Sequence, residues 1–410
     1  MNMIVFAIVL LISLIAGSTP GRSDFDSRLG PIIKPHVFSI AGWEFQTVTR
    51  EVLPSFFRGE TDSGDISPVL EYFASTEQAR ALEYRLDAAR AGQAGDAAAL
   101  AGELEQLLER QRSLESTVER VLEKQIRDTA AEQGIYNPLV DLRVSFPPVD
   151  FKLTRPPHLL VVSPRDRIES MNESMLQPDL TVEEMEDIER QVDRLDVSSL
   201  VTGIGGLGAT YPTFVANDMN LRSTINAATE EWLHQYLAFR PLGFLYVLDL
   251  TGISPNYDIA CMNETLAGIV SKEIGGLVYE RYYAEKKSEV RSQKSESSEG
   301  HESQQPFDFS LEMRETRKTV DLYLSQGEIE KAEAFMDEKR DYLAENGYYI
   351  RKLNQAYFAF YGAYGDSPTS IDPVGGEMRK LRSEADSLKE FLDKVSGMTS
   401  RQALGEAAGG

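Results

Sequence analysis

Residues 221–239 read LRSTINAATEEWLHQYLAF, and the rest of the chain is organised around this stretch. Its apolar side chains recur every three or four residues, which predicts a helix with one apolar stripe. The stripe consists of Ile225, Ala228, Trp232, Tyr236 and Phe239. Further apolar residues flank it, so we expect the helix to be buried, with Ser223 as a candidate N-cap.

Three titratable residues lie in the middle of this apolar helix: Glu230, Glu231 and His234. Burying a carboxylate is costly unless a cation, a metal ion or strong donors compensate, so these residues are candidates for a functional site. Glu230 and His234 are one helical turn apart and project side by side, as two ligands of one ion must. Glu231 lies about 100° round the helix, near them without necessarily joining them.

A second stretch supplies a third candidate ligand. Residues 262–267 read MNETLA and begin a helix-like run that continues to residue 279, with Glu264 in its first turn. Small residues, which let two helices approach closely, follow on the same side: Ala267, Gly268 and Ser271. Catalytic zinc commonly has three protein ligands and leaves one position for water. The predicted metal ligands are therefore Glu230, His234 and Glu264.

Glu231-Trp232-Leu233-His234 and Asn263-Glu264-Thr265-Leu266-Ala267 resemble, in that order, the motifs of the gluzincin metallopeptidases, in which an H-E-x-x-H helix precedes a helix carrying N-E or E. The chain is also similar to a membrane-anchored bacterial branch that places a coiled helical hairpin before such a site. The resemblance covers roughly residues 200–284. It implies a zincin-like catalytic domain, a bound Zn²⁺ ion, and a peptide or protein substrate. Glu231 would then be the general base, which takes a proton from the attacking water and returns it to the leaving amine.

Glu230 departs from that family, because it stands where the family has its first histidine. Two carboxylates and one imidazole would neutralise a divalent ion and make it a poorer Lewis acid. The oxygen-rich set would also suit Mn²⁺ or another divalent ion. Two functions stay open: a metallopeptidase with a degenerate site, and a catalytically inactive membrane-tethered scaffold or peptide-binding pseudopeptidase.

Two further segments supply candidates around this site. Residues 203–212 read GIGGLGATYP, and because no Lys-Ser or Lys-Thr follows, a phosphate-binding loop is disfavoured. We expect a glycine-bearing strand or turn that another backbone approaches, with Gly205 and Gly206 binding substrate at a sheet edge. Residues 348–364 predict an aromatic-rich helix, whose Tyr357 and Tyr361 are catalytic candidates because a tyrosine hydroxyl is a usual transition-state donor. Asn354 is a further residue that could face the site.

Composition limits the partners and the compartment. The chain has 42 Lys and Arg against 65 Asp and Glu, a net charge of −23, which argues against a nucleic-acid partner. Cys261 is the single cysteine, so an intrachain disulfide and a cysteine zinc cluster are excluded. Residues 1–21 carry no charged side chain and predict a signal peptide or a membrane anchor. We expect the body on the extracytoplasmic side of the cell membrane, or secreted if the segment is cleaved.

The whole pattern predicts an α+β fold that is predominantly helical, with a small antiparallel sheet. Residues 67–91 and 96–132 predict two long helices that form a coiled-coil-like hairpin, and Thr181 with Glu184 predicts a capping box. The expected organisation is a signal peptide or anchor at 1–21, an N-terminal segment with the hairpin at 31–135, a sheet with zincin-like helices at 136–285, a disordered linker at 286–306 and a helical subdomain at 307–400.

Overall fold

The computed structural model describes residues 24–38, 65–90, 96–140, 143–208, 210–292, 307–362, 365, 367 and 369–409. The predicted signal or anchor segment lies outside the described residues. Across the described ranges, no helix is both long and apolar enough to cross a membrane.

Helices predominate and the sheets are small, so the fold is α+β, as predicted. The helices are α1 Asp24–Ile33, α2 Ser67–Arg90, α3 Ala97–Glu132, α4 Val182–Asp193, α5 Leu221–Leu237, α6 Pro241–Leu250, α7 Tyr257–Ser292, α8 Phe309–Ser325, α9 Ile329–Glu345, α10 Gln355–Tyr361, α11 Val374–Glu384, α12 Leu388–Ser396 and α13 Arg401–Gly409. The strands are β1 Phe151–Thr154, β2 His158–Pro164, β3 Asn172–Leu176, β4 Val197–Gly203, β5 Gly206–Leu207 and β6 Thr213–Ala216.

The strands form two three-stranded sheets rather than one. The first has the order β3-β2-β4 and is antiparallel throughout. The second has the order β1-β6-β5, and its β1 and β6 run parallel. Two parallel strands need a long crossover connection. Here the connection from β1 to β6 contains β2, β3 and β4, the strands of the first sheet. The predicted antiparallel sheet therefore describes only one of the two.

Helices α2 and α3 pack against each other in opposite directions. Leu82 and Leu86 near the end of α2 meet Leu100 near the start of α3, and the Gln111 side-chain amide donates to Thr76 Oγ1 over 2.8 Å. The Asp96 side chain caps α3 by accepting from two backbone amides. The C-terminal half of α3 then contacts β1 and α7, so this helix joins the pair to the main core.

The core around the candidate site is built on α5, which contacts β5, β6 and α7. Trp232 is buried, and its indole nitrogen donates to the Pro147 carbonyl over 2.9 Å. The helix begins earlier than predicted, because the N-cap is Asn220, whose side chain accepts from the amide of Ser223. A Cβ on Gly275 of α7 would clash with the Asn226 side chain of α5, so the two helices approach closely.

The bounds of two further helices differ from the predicted ones. Helix α7 begins before residue 262 and continues to Ser292, inside the predicted linker, whose residues 293–306 lie outside the described part. Helix α10 is a short helix of residues Gln355–Tyr361 rather than 348–364, because the Asn354 side chain caps it. The predicted capping box of Thr181 and Glu184 is confirmed at the start of α4.

Candidate metal centre

Glu230, His234 and Glu264 meet where α5 faces α7. One oxygen or nitrogen atom from each of the three lies within 4.8 Å of the others, and His234 Nε2 is 3.7 Å from Glu264 Oε2. Ligands at about 2.1 Å from a tetrahedral zinc ion are ~3.4 Å apart, so a small contraction would bring this set to ligation distance. The side chains of His234 and Glu264 are 17% and 12% exposed, so an ion could reach them.

The imidazole of His234 is positioned by its neighbour on α7. Asn263 is fully buried, its Nδ2 lies 3.1 Å from His234 Nδ1, and its Oδ1 has no hydrogen-bond partner. A half-turn of the amide would place Oδ1 against a protonated Nδ1, which leaves the lone pair of Nε2 for a metal ion. The Asn263 amide can therefore pair with the histidine tautomer that binds metal.

The Glu264 carboxylate is held by a side chain from α6. The Tyr246 hydroxyl donates a hydrogen bond to Glu264 Oε1, and the Tyr246 ring lies 5.9 Å from the His234 ring, centroid to centroid. Asn263 thus contacts His234 Nδ1, and Tyr246 contacts Glu264 Oε1. The two atoms that face each other are different ones, His234 Nε2 and Glu264 Oε2. The facing atoms stay directed at a common point.

Glu231 lies against the glycine segment. A Cβ on Gly206 would stand 2.6 Å from Glu231 Cγ, and one on Gly208 would stand 2.7 Å from Glu231 Oε2, so only glycine leaves room for this carboxylate. The Gly208 amide donates to it. Burial raises the pKa of Glu231 well above its ordinary range, with the charges of Glu230 and Glu264 acting in the same direction and the amide opposing them.

The field around the site is negative. Partial desolvation raises the pKa of Glu173 on β3, although this side chain reaches the surface, and the nearby charges of Glu264 and Asp249 raise it further. The carboxyls of Glu230 and Glu264 likewise raise the pKa of Glu231. Each of these carboxylates makes ionisation of the others less favourable, and a bound cation would stabilise the ionised form of all of them.

The other predicted site residues lie elsewhere or have a different neighbour. The rings of Tyr357 and Tyr361 are tilted by 41° with 4.5 Å between their centroids, and they pack on the face formed by β2 and β4. The Tyr361 hydroxyl lies 3.0 Å from Thr202 Oγ1. A Cβ on Gly205 would meet only Met219 Sδ, at 3.9 Å, whereas Gly206 carries the close approach to Glu231. The segment that approaches the glycines is thus α5. The Glu231 side chain lies against Gly206, and both the side chain and the backbone of Glu231 lie against Gly208.

Three contributors were not predicted as site residues: Asn263, Tyr246 and Gly208. Asn263 carried a signal, since it precedes Glu264 in the N-E pair. Gly208 lies within the glycine-rich segment 203–212. Tyr246 had no signal, because it lies in a segment that is apolar on all sides and only the packing of α6 brings it to Glu264.

Comparison with models of known protein families, with curated proteins and with solved structures finds no match.

Proposed function

We propose that this protein is a divalent-metal-dependent peptidase with a gluzincin-like site. The observation that supports it most directly is the convergence of Glu230, His234 and Glu264 from two buried helices. An accidental meeting of two carboxylates would be disfavoured by their repulsion, whereas a site for a divalent cation requires such a meeting. A bound ion would polarise the scissile carbonyl and the attacking water.

The position of Glu231 supports a role as general base. It lies one residue from Glu230 on α5 and is held by the Gly208 amide beside strand β5. Its raised pKa makes it a stronger base than an exposed carboxylate, and a neighbouring cation would lower that pKa and so favour the ionised form that accepts a proton. Glu231 would take the proton of the attacking water and pass it to the leaving amine.

Strand β5 is the natural place for the substrate backbone. It is an edge of the sheet β1-β6-β5 and lies directly over Glu231. An extended peptide that adds to this edge would pass the candidate ligands while pairing with the Gly206 segment. We infer a zincin-like domain from this sheet, α5 and α7, with α2 and α3 as a coiled-coil-like hairpin beside it.

Tyr246 is a better candidate than Tyr357 or Tyr361 for the donor that stabilises a developing oxyanion. Its hydroxyl already reaches Glu264, whereas Tyr361 bonds to Thr202 on the sheet β3-β2-β4. A tyrosine hydroxyl beside the metal ligands could turn from the carboxylate to the substrate oxygen.

A second function is favoured by one observation, the carboxylate at position 230. Two anionic ligands weaken the Lewis acidity on which hydrolysis depends. The alternative is a pseudopeptidase or membrane-tethered scaffold that binds metal and peptide without cleavage.

Metal analysis followed by peptide digestion separates these functions. The purified chain, loaded with Zn²⁺ or Mn²⁺ and passed through a desalting column, should retain one ion per molecule. Glu231→Gln should keep the metal and reduce cleavage of a peptide library by roughly 10²–10⁴-fold, while Glu280→Gln, an exposed position on α7, should change neither. Absence of stoichiometric metal would refute the metal centre, and metal without cleavage by the unmodified chain would establish the non-catalytic alternative.

A further inference from the structure

Helix α6 and the turn after it form an unusually apolar part of the surface. Residues 241–257 read PLGFLYVLDLTGISPNY and contain one charged residue, Asp249. Phe244, Leu250 and Ile253 are 55%, 57% and 61% exposed. Surface helices ordinarily carry polar residues on their outward side, and a contiguous exposed apolar patch marks a binding surface.

The exposure does not come from a loosely attached helix. On the inner side of α6, Leu242 is fully buried, and a Cβ on Gly243 would clash with the Leu237 carbonyl at the end of α5. The single charged residue, Asp249, accepts a hydrogen bond from the Asn256 amide over 2.6 Å in the turn after the helix. The helix is firmly seated, and its outward side is apolar.

We propose that this side docks on the interface of a lipid bilayer, and we name it the α6 face: Phe244, Val247, Leu248, Leu250 and Ile253. The chain itself points to this occupant, since the uncharged residues 1–21 predict a signal peptide or a membrane anchor, and an anchor would hold the body at a membrane. Ten helical residues extend about 15 Å, half the hydrocarbon thickness, so α6 would lie in the interface rather than cross it.

The charge of the chain specifies the lipid. A net charge of −23 opposes approach to an anionic surface, while the α6 face has no lysine or arginine to attract one. The expected surface is therefore zwitterionic, with binding that depends on buried apolar area rather than on charge.

Helix α6 connects the α6 face with the candidate metal centre. Tyr246 on α6 donates to Glu264, so docking would bring the centre to within about one helix diameter, ~10 Å, of the lipid. This consequence rests on the proposed function: the substrate class would be peptide segments that emerge from a bilayer.

Site-specific fluorescence in vesicles tests the docking. The native Cys261 is buried, so cysteines introduced by Phe244→Cys and Leu250→Cys can be labelled selectively with an environment-sensitive dye. The full chain is reconstituted in phosphatidylcholine vesicles that contain nitroxide-labelled lipid. We expect loss of fluorescence at both positions and none in the control Tyr349→Cys, an exposed site in the connection between α9 and α10.

The quenching results decide whether a lipid bilayer covers the α6 face. Equal quenching at all three positions, or none at the two α6 positions, would overturn the proposal. Disulfide cross-linking between two copies of the Leu250→Cys variant would also overturn it, if the yield of cross-linked dimer were the same with and without lipid. Replacing part of the lipid by phosphatidylglycerol should weaken quenching at both α6 positions, and stronger quenching would contradict the proposal.

The measurement is independent of metal and of catalysis. Quenching at the α6 positions should be the same with and without EDTA, so a failed metal centre would leave the docking result intact. The substrate class has its own readout: a peptide anchored in the same vesicles should be cleaved faster than the free peptide, and equal rates would refute it.

Discussion

Two groups of carboxylates in this protein are withdrawn from water, yet their oxygen atoms meet different partners. One group is Glu119 and Glu123 on α3, and the other is Glu230 and Glu264 beside His234. On α3, Glu119 accepts from the Leu153 amide over 2.9 Å and from Lys152 Nζ over 2.8 Å. Glu123 accepts from the Phe151 amide over 3.1 Å. Glutamates one turn apart thus pair with alternate amides of the edge strand β1 and protect that edge.

At α5 and α7, by contrast, Glu264 contacts side chains. Glu264 receives the Tyr246 hydroxyl, and its other oxygen faces His234 Nε2. The same residue type therefore has two uses. Where backbone amides and a lysine bind the oxygens, the carboxylates are structural, and where a histidine nitrogen and two carboxylates face a common point, they form a candidate ligand set.

The α3 group also holds a proton. Glu123 and Asp150 are hydrogen-bonded side chains, and burial followed by the charge of Asp150 raises the pKa of Glu123 to about 8. Glu119, Lys152 and Tyr211 surround the pair, and the Tyr211 hydroxyl bonds to Asp150. A shared proton satisfies this pair without a metal ion.

The sharpest test of the contrast removes one carboxylate from each group. Glu264→Ala should lower affinity for Zn²⁺ or Mn²⁺ by at least ~100-fold, because loss of a residue that only supports a ligand already costs about 10–100-fold. Glu119→Ala should leave the affinity of the folded protein unchanged. Calorimetric titration with each ion measures both, and equal losses in the two variants would abolish the distinction.

The next largest effect concerns the support of His234. Asn263→Leu removes the acceptor for Nδ1–H and should weaken metal affinity by about 10–100-fold, whereas Asn263→Asp keeps an acceptor and should restore it. Nitrogen NMR of the histidine ring gives a readout that packing alone would not change, since metal loading should place the proton on Nδ1. A proton on Nε2 in the loaded protein would contradict the assignment of Nε2 as ligand.

A smaller effect is expected at position 230. Glu230→His replaces an oxygen ligand by nitrogen and should shift the ratio of zinc to manganese affinity on the order of tenfold toward zinc. Competition between the two ions measures the ratio. No change in either affinity would mean that Glu230 is not a ligand.

The smallest expected effect is on stability, in the α3 group. The folded state binds a proton at Glu123 that the unfolded chain releases near its ordinary pKa of 4.5, so the stabilisation is full below pH 4.5 and is lost as pH rises to about 8. Glu123→Gln keeps an acceptor for Phe151 and gains a permanent donor for Asp150. Urea unfolding from pH 5 to 9 should show a flatter pH dependence in the variant, and an unchanged slope would place the proton elsewhere.

Local sequence signals predicted the helical elements well where they were strong. Both long N-terminal helices lie within one residue of their predicted ends, since composition and the Asp96 cap define them. Signals were weaker where two caps competed: Asn220 rather than Ser223 begins α5, because either side chain can accept a helix amide and only packing selects one.

By itself the sequence determined which residues share a helical face, since a period of 3.6 residues puts Glu230 and His234 together regardless of context. It also determined the bulk of the helical fold and the negative charge. Only the tertiary structure decided that Glu264 meets this pair, that Gly206 lies against Glu231, and that Tyr246 reaches Glu264. These contacts join elements distant in sequence, and their geometry depends on how helices and sheet edges pack, which no local pattern encodes.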